Sequence, residues 1–158
     1  MRRIIALLLV LALASAPFGA RLSEVSLINM GPVRAVNSSA GVVYAGVGGA
    51  LNVYNIYHKD CPQLITTVGG HSSRIAAIQP AGDKLCVLWE KEGLEIFDIT
   101  DRYSPRFLGR FPADPDTLYK SFTDMDIEGN IAFITGGDFA ASLDISDPAS
   151  PELLYYAD

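Results

Sequence analysis

Apolar residues in this chain come in short runs broken by glycine, asparagine or charged residues at nearly regular intervals. GVVYAGVGGAL (Gly41 to Leu51), KLCVLWEKEGL (Lys84 to Leu94) and NIAFITGGDFA (Asn130 to Ala140) each read as an apolar strand, a turn and the start of a second strand. A third strand pattern follows each: ALNVYNIYHKDCPQLIT, GLEIFDITDRYSPRFLG and FAASLDISDPASPELLY all end a strand in a polar turn and resume after a proline. Pro62, Pro105 and Pro151 stand 43 and then 46 residues apart, and aligning them brings Asn55, Asp98 and Asp144 into register. The same alignment matches Leu64/Ile65 with Phe107/Leu108 and Leu153/Leu154. Spacing of this kind marks a structural repeat.

Each repeat predicts four strands: VRAV, VVYAGV, LNVYNI and QLITTV; RIAAI, KLCVLW, LEIFDI and RFLGRF; TDMDI, IAFIT, AASLDI and ELLYYA. No segment after the first twenty residues has sustained helical periodicity with caps. The strands are near-continuous apolar runs, as expected where both faces of a sheet are covered. The fold expected is all-β: a partial β-propeller of about three four-stranded antiparallel blades. RLSEVSLINM (Arg21 to Met30) reads as an additional N-terminal outer strand. Three units fall below the usual four to eight blades and would leave apolar end faces, so the expectation is a truncated propeller or two copies completing a ring.

The recurring turn has a physical reason. A carboxylate or amide at Asn55, Asp98 and Asp144 can accept hydrogen bonds from backbone N–H groups two or three residues on. The prolines then open outer strands, where a missing N–H does little harm. Asp98 with Asp101, or Asp144 with Asp147, has calcium-ligand chemistry, but Asn55 and His58 fill those places in the first repeat, so the turn-capping role is preferred and no metal is expected.

At these residues the chain resembles the LVIVD-repeat family, whose hallmark is a hydrophobic strand followed by D-[IV]-[ST]-D-P-x-x-P. SLDISDPASP matches it closely, EIFDITDRYSP lacks the first proline, and NVYNIYHKDCP keeps little beyond the strand and Pro62. The resemblance implies an exported or cell-surface propeller and carries no catalytic motif.

The first twenty residues are read as a signal peptide: Arg2 and Arg3 precede an apolar run from Ile4 to Ala14, followed by small residues. The run is shorter than the roughly 20 residues that cross a bilayer. Cleavage after Ala16 is disfavoured by Pro17; cleavage after Ala14 and an uncleaved anchor are alternatives. Residues 21–158 form the propeller fragment, and the expected localisation is periplasm, cell surface or secreted. No integral membrane domain is expected after the leader is removed.

The net charge of -6 becomes -8 without Arg2 and Arg3, and the remaining basic residues are scattered singly along the chain. That excludes nucleic acid as an expected partner. Cys61 and Cys86 form no CxxC, and no zinc site is expected. In an oxidising compartment they could pair across a loop worth about 3 kcal/mol; the alternative is a buried Cys86 taking the place of Val43 and Ala132, with Cys61 a separate turn thiol.

In a propeller, the loops between second and third strands share one rim with the loops linking blades. That rim gathers Gly69 to Arg74, Lys91-Glu92, Lys120 with Asp124, and Gly136 to Asp138. His71, Arg74, Asp124 and Asp126 are the candidate ligand contacts. A Ser72, His71 and Asp124 triad lacks a nucleophile elbow, so no catalytic residue is assigned. Trp89 reads as core rather than a sugar platform, His58 as a solvated turn residue, and GVGG at Gly46 to Gly49 as a tight turn without the helix of a phosphate loop. No cofactor is expected. The function expected is a binding scaffold for a protein or glycan; the alternative is a periplasmic or cell-surface enzyme with its pocket at the channel mouth.

Overall fold

The computed structural model of the chain describes residues 32–58, 60–113 and 121–158. The predicted leader, the strand expected over 21–30 and Lys120 lie outside the described residues. Twelve strands follow in order: β1 Val33–Ser39, β2 Val42–Val47, β3 Ala50–Asn55, β4 Gln63–Gly69, β5 Ile75–Ala81, β6 Lys84–Trp89, β7 Gly93–Asp98, β8 Arg106–Pro112, β9 Phe122–Glu128, β10 Ile131–Gly136, β11 Ala140–Asp144 and β12 Glu152–Ala157. They form three four-stranded sheets, each an antiparallel meander in chain order, and each sheet is one repeat. Among the described residues no helix is long and apolar enough to cross a membrane.

The first hairpin of each sheet closes on a two-residue turn: Ala40-Gly41, Gly82-Asp83 and Gly129-Asn130. The first turn residue has positive φ in all three, and only Ala40, at φ 47, is not glycine. Register then fixes which side chains are equivalent. Val42 opposes Asn55, Lys84 opposes Asp98 and Ile131 opposes Asp144. Two places further along each strand, Cys86 is therefore the counterpart of Tyr44 and Phe133. The expectation that it replaces Val43 and Ala132 was displaced by one residue, which in a strand means the opposite face. Cys86 is wholly buried and Cys61 exposed, and both are free thiols.

The sheets stack face to face around their first strands, with β1 against β5 and β5 against β9. Between the first two sheets lie Val42, Tyr44, Leu51 and Val53 from one and Leu85, Val87, Trp89, Phe97 and Ile99 from the other. Cys86, Leu88, Leu94 and Ile96 meet Met125, Ala132, Ile134, Ala141 and Leu143 between the second and third. The middle sheet is thus covered on both faces, and its central strands β6 and β7 are buried almost end to end. The third sheet has an open far face: β10 alternates buried and exposed, and Phe133 and Tyr155 are 47% and 65% exposed. In the first sheet, Ala45, Asn52 and Tyr54 face away from the second sheet yet are buried, and Asn52 Nδ2 donates to the Tyr54 hydroxyl at 3.1 Å.

The repeated turn caps itself as its chemistry suggested. Oδ1 of Asn55, Asp98 and Asp144 accepts the N–H of Tyr57, Thr100 and Ser146, each at 2.8 Å. Asp101 and Asp147 repeat the device toward Tyr103 and Ala149 at 3.1 and 3.0 Å. Pro62, Pro105 and Pro151 each sit immediately before the outer strand of their sheet. The Asp98 carboxyl is held at about 2 by hydrogen bonds from Thr100 and Arg106, and the bonds from Ser146 lower that of Asp144.

The turn also fastens each blade to the one before it. The Tyr44 hydroxyl donates to Arg102 O at 3.2 Å, and Arg102 Nη1 donates to Ser39 Oγ at 2.9 Å. One blade on, Lys84 Nζ donates to Ile145 O at 2.9 Å, and Gly109 in β8 lies flush against Pro148 and Ala149.

Candidate functional site

Each inner strand begins with a β-bulge at the same place. Pairing skips Arg34 between Val33 and Ala35, Ala76 between Ile75 and Ala77, and Thr123 between Phe122 and Asp124. A bulge re-aims a side chain out of the alternation of its strand. All three bulged residues line one cavity of about 330 Å³, together with Arg74, Ile75, Glu90 and Phe122. A second cavity of about 310 Å³ adjoins it, sharing Arg74 and Glu90 and adding Ser72, Ser73, Lys91 and Ser121. Both open on the rim where the inner strands begin.

Arg74 and Glu90 line both cavities. Arg74 Nε and Nη2 donate to the two oxygens of Glu90, both at 2.9 Å, a paired fork that fixes the guanidinium. The backbone is tied at the same point: Glu90 N–H donates to Arg74 O at 2.8 Å and Phe122 N–H to Glu90 O at 2.9 Å. Arg34 is exposed and forms no ion pair with a described residue.

His71 has a different role. Its ring stacks on Trp89 with centroids 3.7 Å apart, its Nδ1 lies 2.6 Å from Glu92 Oε2, and its Nε2 lies 3.3 Å from Glu95 Oε2. Trp89 Nε1 donates to the same Glu95 oxygen at 3.0 Å. Glu92 Oε1 accepts from Ser72 N–H, Ser72 Oγ and Ser73 N–H at 2.9, 3.0 and 2.9 Å. Burial pushes the Glu92 carboxyl up, but the hydrogen bonds from His71, Ser73 and Ser72 outweigh it and hold it at about 2. This network locks the link before β5 to the β6–β7 turn. His71 N–H also donates to Gly49 O at 3.3 Å, and a side chain at Gly49 would collide with His71 O. Within GVGG, Gly46 and Val47 end β2, and Gly48-Gly49 form the tight turn that gives the inter-blade link room to cross.

Of the four candidate contacts, Arg74 lines both of these cavities. His71 is committed to structure, and Asp124 and Asp126 sit further along β9. Asp124 accepts from Met125 N–H at 2.9 Å, and Asp126 accepts Gln79 Nε2 at 3.1 Å, tying the second inner strand to the third. Asn37, at the equivalent place in β1, donates to Ile78 O at 2.9 Å. The imagined triad does not assemble: the Ser72 hydroxyl faces Glu92, and both ring nitrogens of His71 face glutamates. Trp89 is fully buried.

Sequence reading missed Arg34, Glu90 and Phe122 as mouth residues. Arg34 was hidden because strand alternation says nothing about a bulge, and the only available signal was its alignment with Ala76 and Thr123.

No family model matches the sequence, and no curated protein matches it. Among solved structures the chain is similar to the computationally designed Ika4 protein, with a TM-score of 0.67 at 18% identity over 89% of this chain and 81% of that one. It is also similar to Saccharomyces cerevisiae Sqt1, with a TM-score of 0.67 at 11% identity over 81% of this chain and 35% of that one. The β-propeller domain of Cps50 (Swd1) from Myceliophteria thermophila gives 0.63 at 14% identity over 79% of this chain and 40% of that domain. The chain thus spans well under half of Sqt1 and of the Cps50 domain. These likenesses establish the fold as that of a β-propeller, and the three described sheets do not close into a ring.

Proposed function

We propose that this propeller is an exported binding scaffold of the LVIVD-repeat kind, whose ligand seats at the channel mouth. The reading rests chiefly on one observation: three bulged residues, Arg34, Ala76 and Thr123, at the same place in three repeats, line a single cavity. Bulges disrupt a ladder, and their recurrence beside a cavity favours use of that opening. Export is supported by the basic and apolar leader pattern, and the family assignment by the D-I-S-D-P turn of the third repeat. Further blades, or a second copy, would cover the open face of the third sheet and complete the wall of the channel.

The test is site-directed photo-crosslinking in cells making the full-length protein. A photoreactive residue at Thr123 is expected to give discrete adducts in the exported fraction, and one at exposed Arg106 in the outer strand none. Adducts from Arg106 alone, or retention of the protein in the cytoplasm, would refute the proposal.

A further inference from the structure

The scaffold reading leaves the ligand undefined, and the chemistry of the mouth narrows it. The chain carries a net charge of -6, yet among the described residues the two adjoining cavities are lined by three cations, Arg34, Arg74 and Lys91, and a single carboxylate, Glu90. The sequence scatters these cations across two repeats; the radial arrangement of blades brings them to one rim. Glu90 engages Nε and Nη2 of Arg74, so Nη1 is the guanidinium nitrogen that it does not use. Arg34 reaches the same cavity from the neighbouring inner strand, unpaired among the described residues. Two guanidinium groups on one small cavity make a seat for a carboxylate. Lys91, in the adjoining cavity beside Ser72, Ser73 and Ser121, supplies a place for a second acidic group.

Glycan recognition commonly uses an aromatic face, and the described residues of the mouth offer none. Phe122 is the one aromatic residue among the described residues lining either cavity and is 1% exposed, and Trp89 behind His71 is 0% exposed. Among the described residues the large exposed aromatic side chains, Tyr57, Tyr103, Phe107, Phe133 and Tyr155, lie on exit turns, outer strands and the open sheet face.

Resting on the scaffold reading, we infer that the mouth binds an acidic protein segment, with one carboxylate held between Arg34 and Arg74 and a second near Lys91. The segment enters as an extended strand or loop, and its neutral amide counterpart is rejected because Arg34 then lacks a charged partner, while Arg74 keeps only Glu90.

The experiment is fluorescence anisotropy on the full chain with a labelled peptide of alternating Asp and Gly, its Asn counterpart, and polygalacturonate as an acidic glycan. The Asp peptide is expected to bind, weakening as salt rises, with the Asn peptide and polygalacturonate at least about tenfold weaker. Arg34→Gln and Lys91→Gln are each expected to lower affinity about three- to tenfold, while Arg106→Gln on the outer strand leaves it unchanged. Arg34 and Lys91 are exposed, and an unchanged melting temperature in both variants shows that folding is not the cause. Equal binding of Asp and Asn peptides, tighter binding of polygalacturonate, or full affinity in Arg34→Gln overturns the inference. Thr123 adducts in cells without Asp-peptide binding overturn the ligand class and leave the scaffold standing; loss of both overturns both.

Discussion

Replacing Gly109 by alanine tests the claim that each exit turn clamps the preceding blade. Gly109 lies in β8 of the second sheet, and an added Cβ would sit 2.7 Å from Ala149 Cα and closer still to Pro148 O, both backbone atoms of the third sheet's turn. Carbon contacts settle near 3.5–4.0 Å, so the turn must retreat by roughly 1 Å. That turn is not free to move, because Asp147 holds Ala149 N–H and Lys84 holds Ile145 O. Overpacking of this kind costs about 1–3 kcal/mol, and about 2 kcal/mol corresponds to a fall in melting temperature of roughly 4–8 °C for a chain of this size. The control is Gly137→Ala, where nothing lies within 4 Å of the added atom. Circular dichroism melts of both variants against the parent make the assay. A Gly109→Ala protein melting within about 1 °C of the Gly137→Ala protein would refute the clamp.

Ala40→Gly should raise stability by about 1 kcal/mol, because a left-handed conformation is costly for alanine and free for glycine; Ala40 has φ 47 where the matching turns use Gly82 and Gly129, and urea midpoints will check it. Glu92→Gln should cost about 1–2 kcal/mol through the weakened bonds from His71, Ser72 and Ser73. Because the Glu92 carboxyl falls from 4.5 to about 2 on folding, its contribution is fully present above pH 4.5 and lost as pH falls through 2. Denaturation at several pH values should therefore show a shallower acid-side decline in the variant. Cys86, buried and with its thiol pushed up to about 12, should resist a thiol reagent in the native protein while Cys61 reacts, with Cys86 labelling only in denaturant.

The fold was legible in the sequence because its elements repeat. The prolines, the Asx turns and the apolar runs appear three times, and strands such as Val42–Val47 and Lys84–Trp89 were bounded to the residue. Less legible were the inner strands, which extend through polar Asn37, Ser38 and Gln79, since the channel wall admits side chains that a sheet core excludes. The position of Cys86 slipped by one because the turn length, not the apolar pattern, sets register. His71 was recognised as a rim residue, but its commitment to Trp89, Glu92 and Glu95 is a tertiary fact that no spacing announces. Arg34 emerged only once three bulges could be superposed.

The most direct test is a titration of isotopically labelled protein with the Asp-Gly peptide, followed by amide resonances. The account predicts that Arg34, Ala76 and Thr123, from three separate repeats, shift together and saturate with one dissociation constant. Shifts confined to a single repeat, or centred on the outer strands, would contradict it.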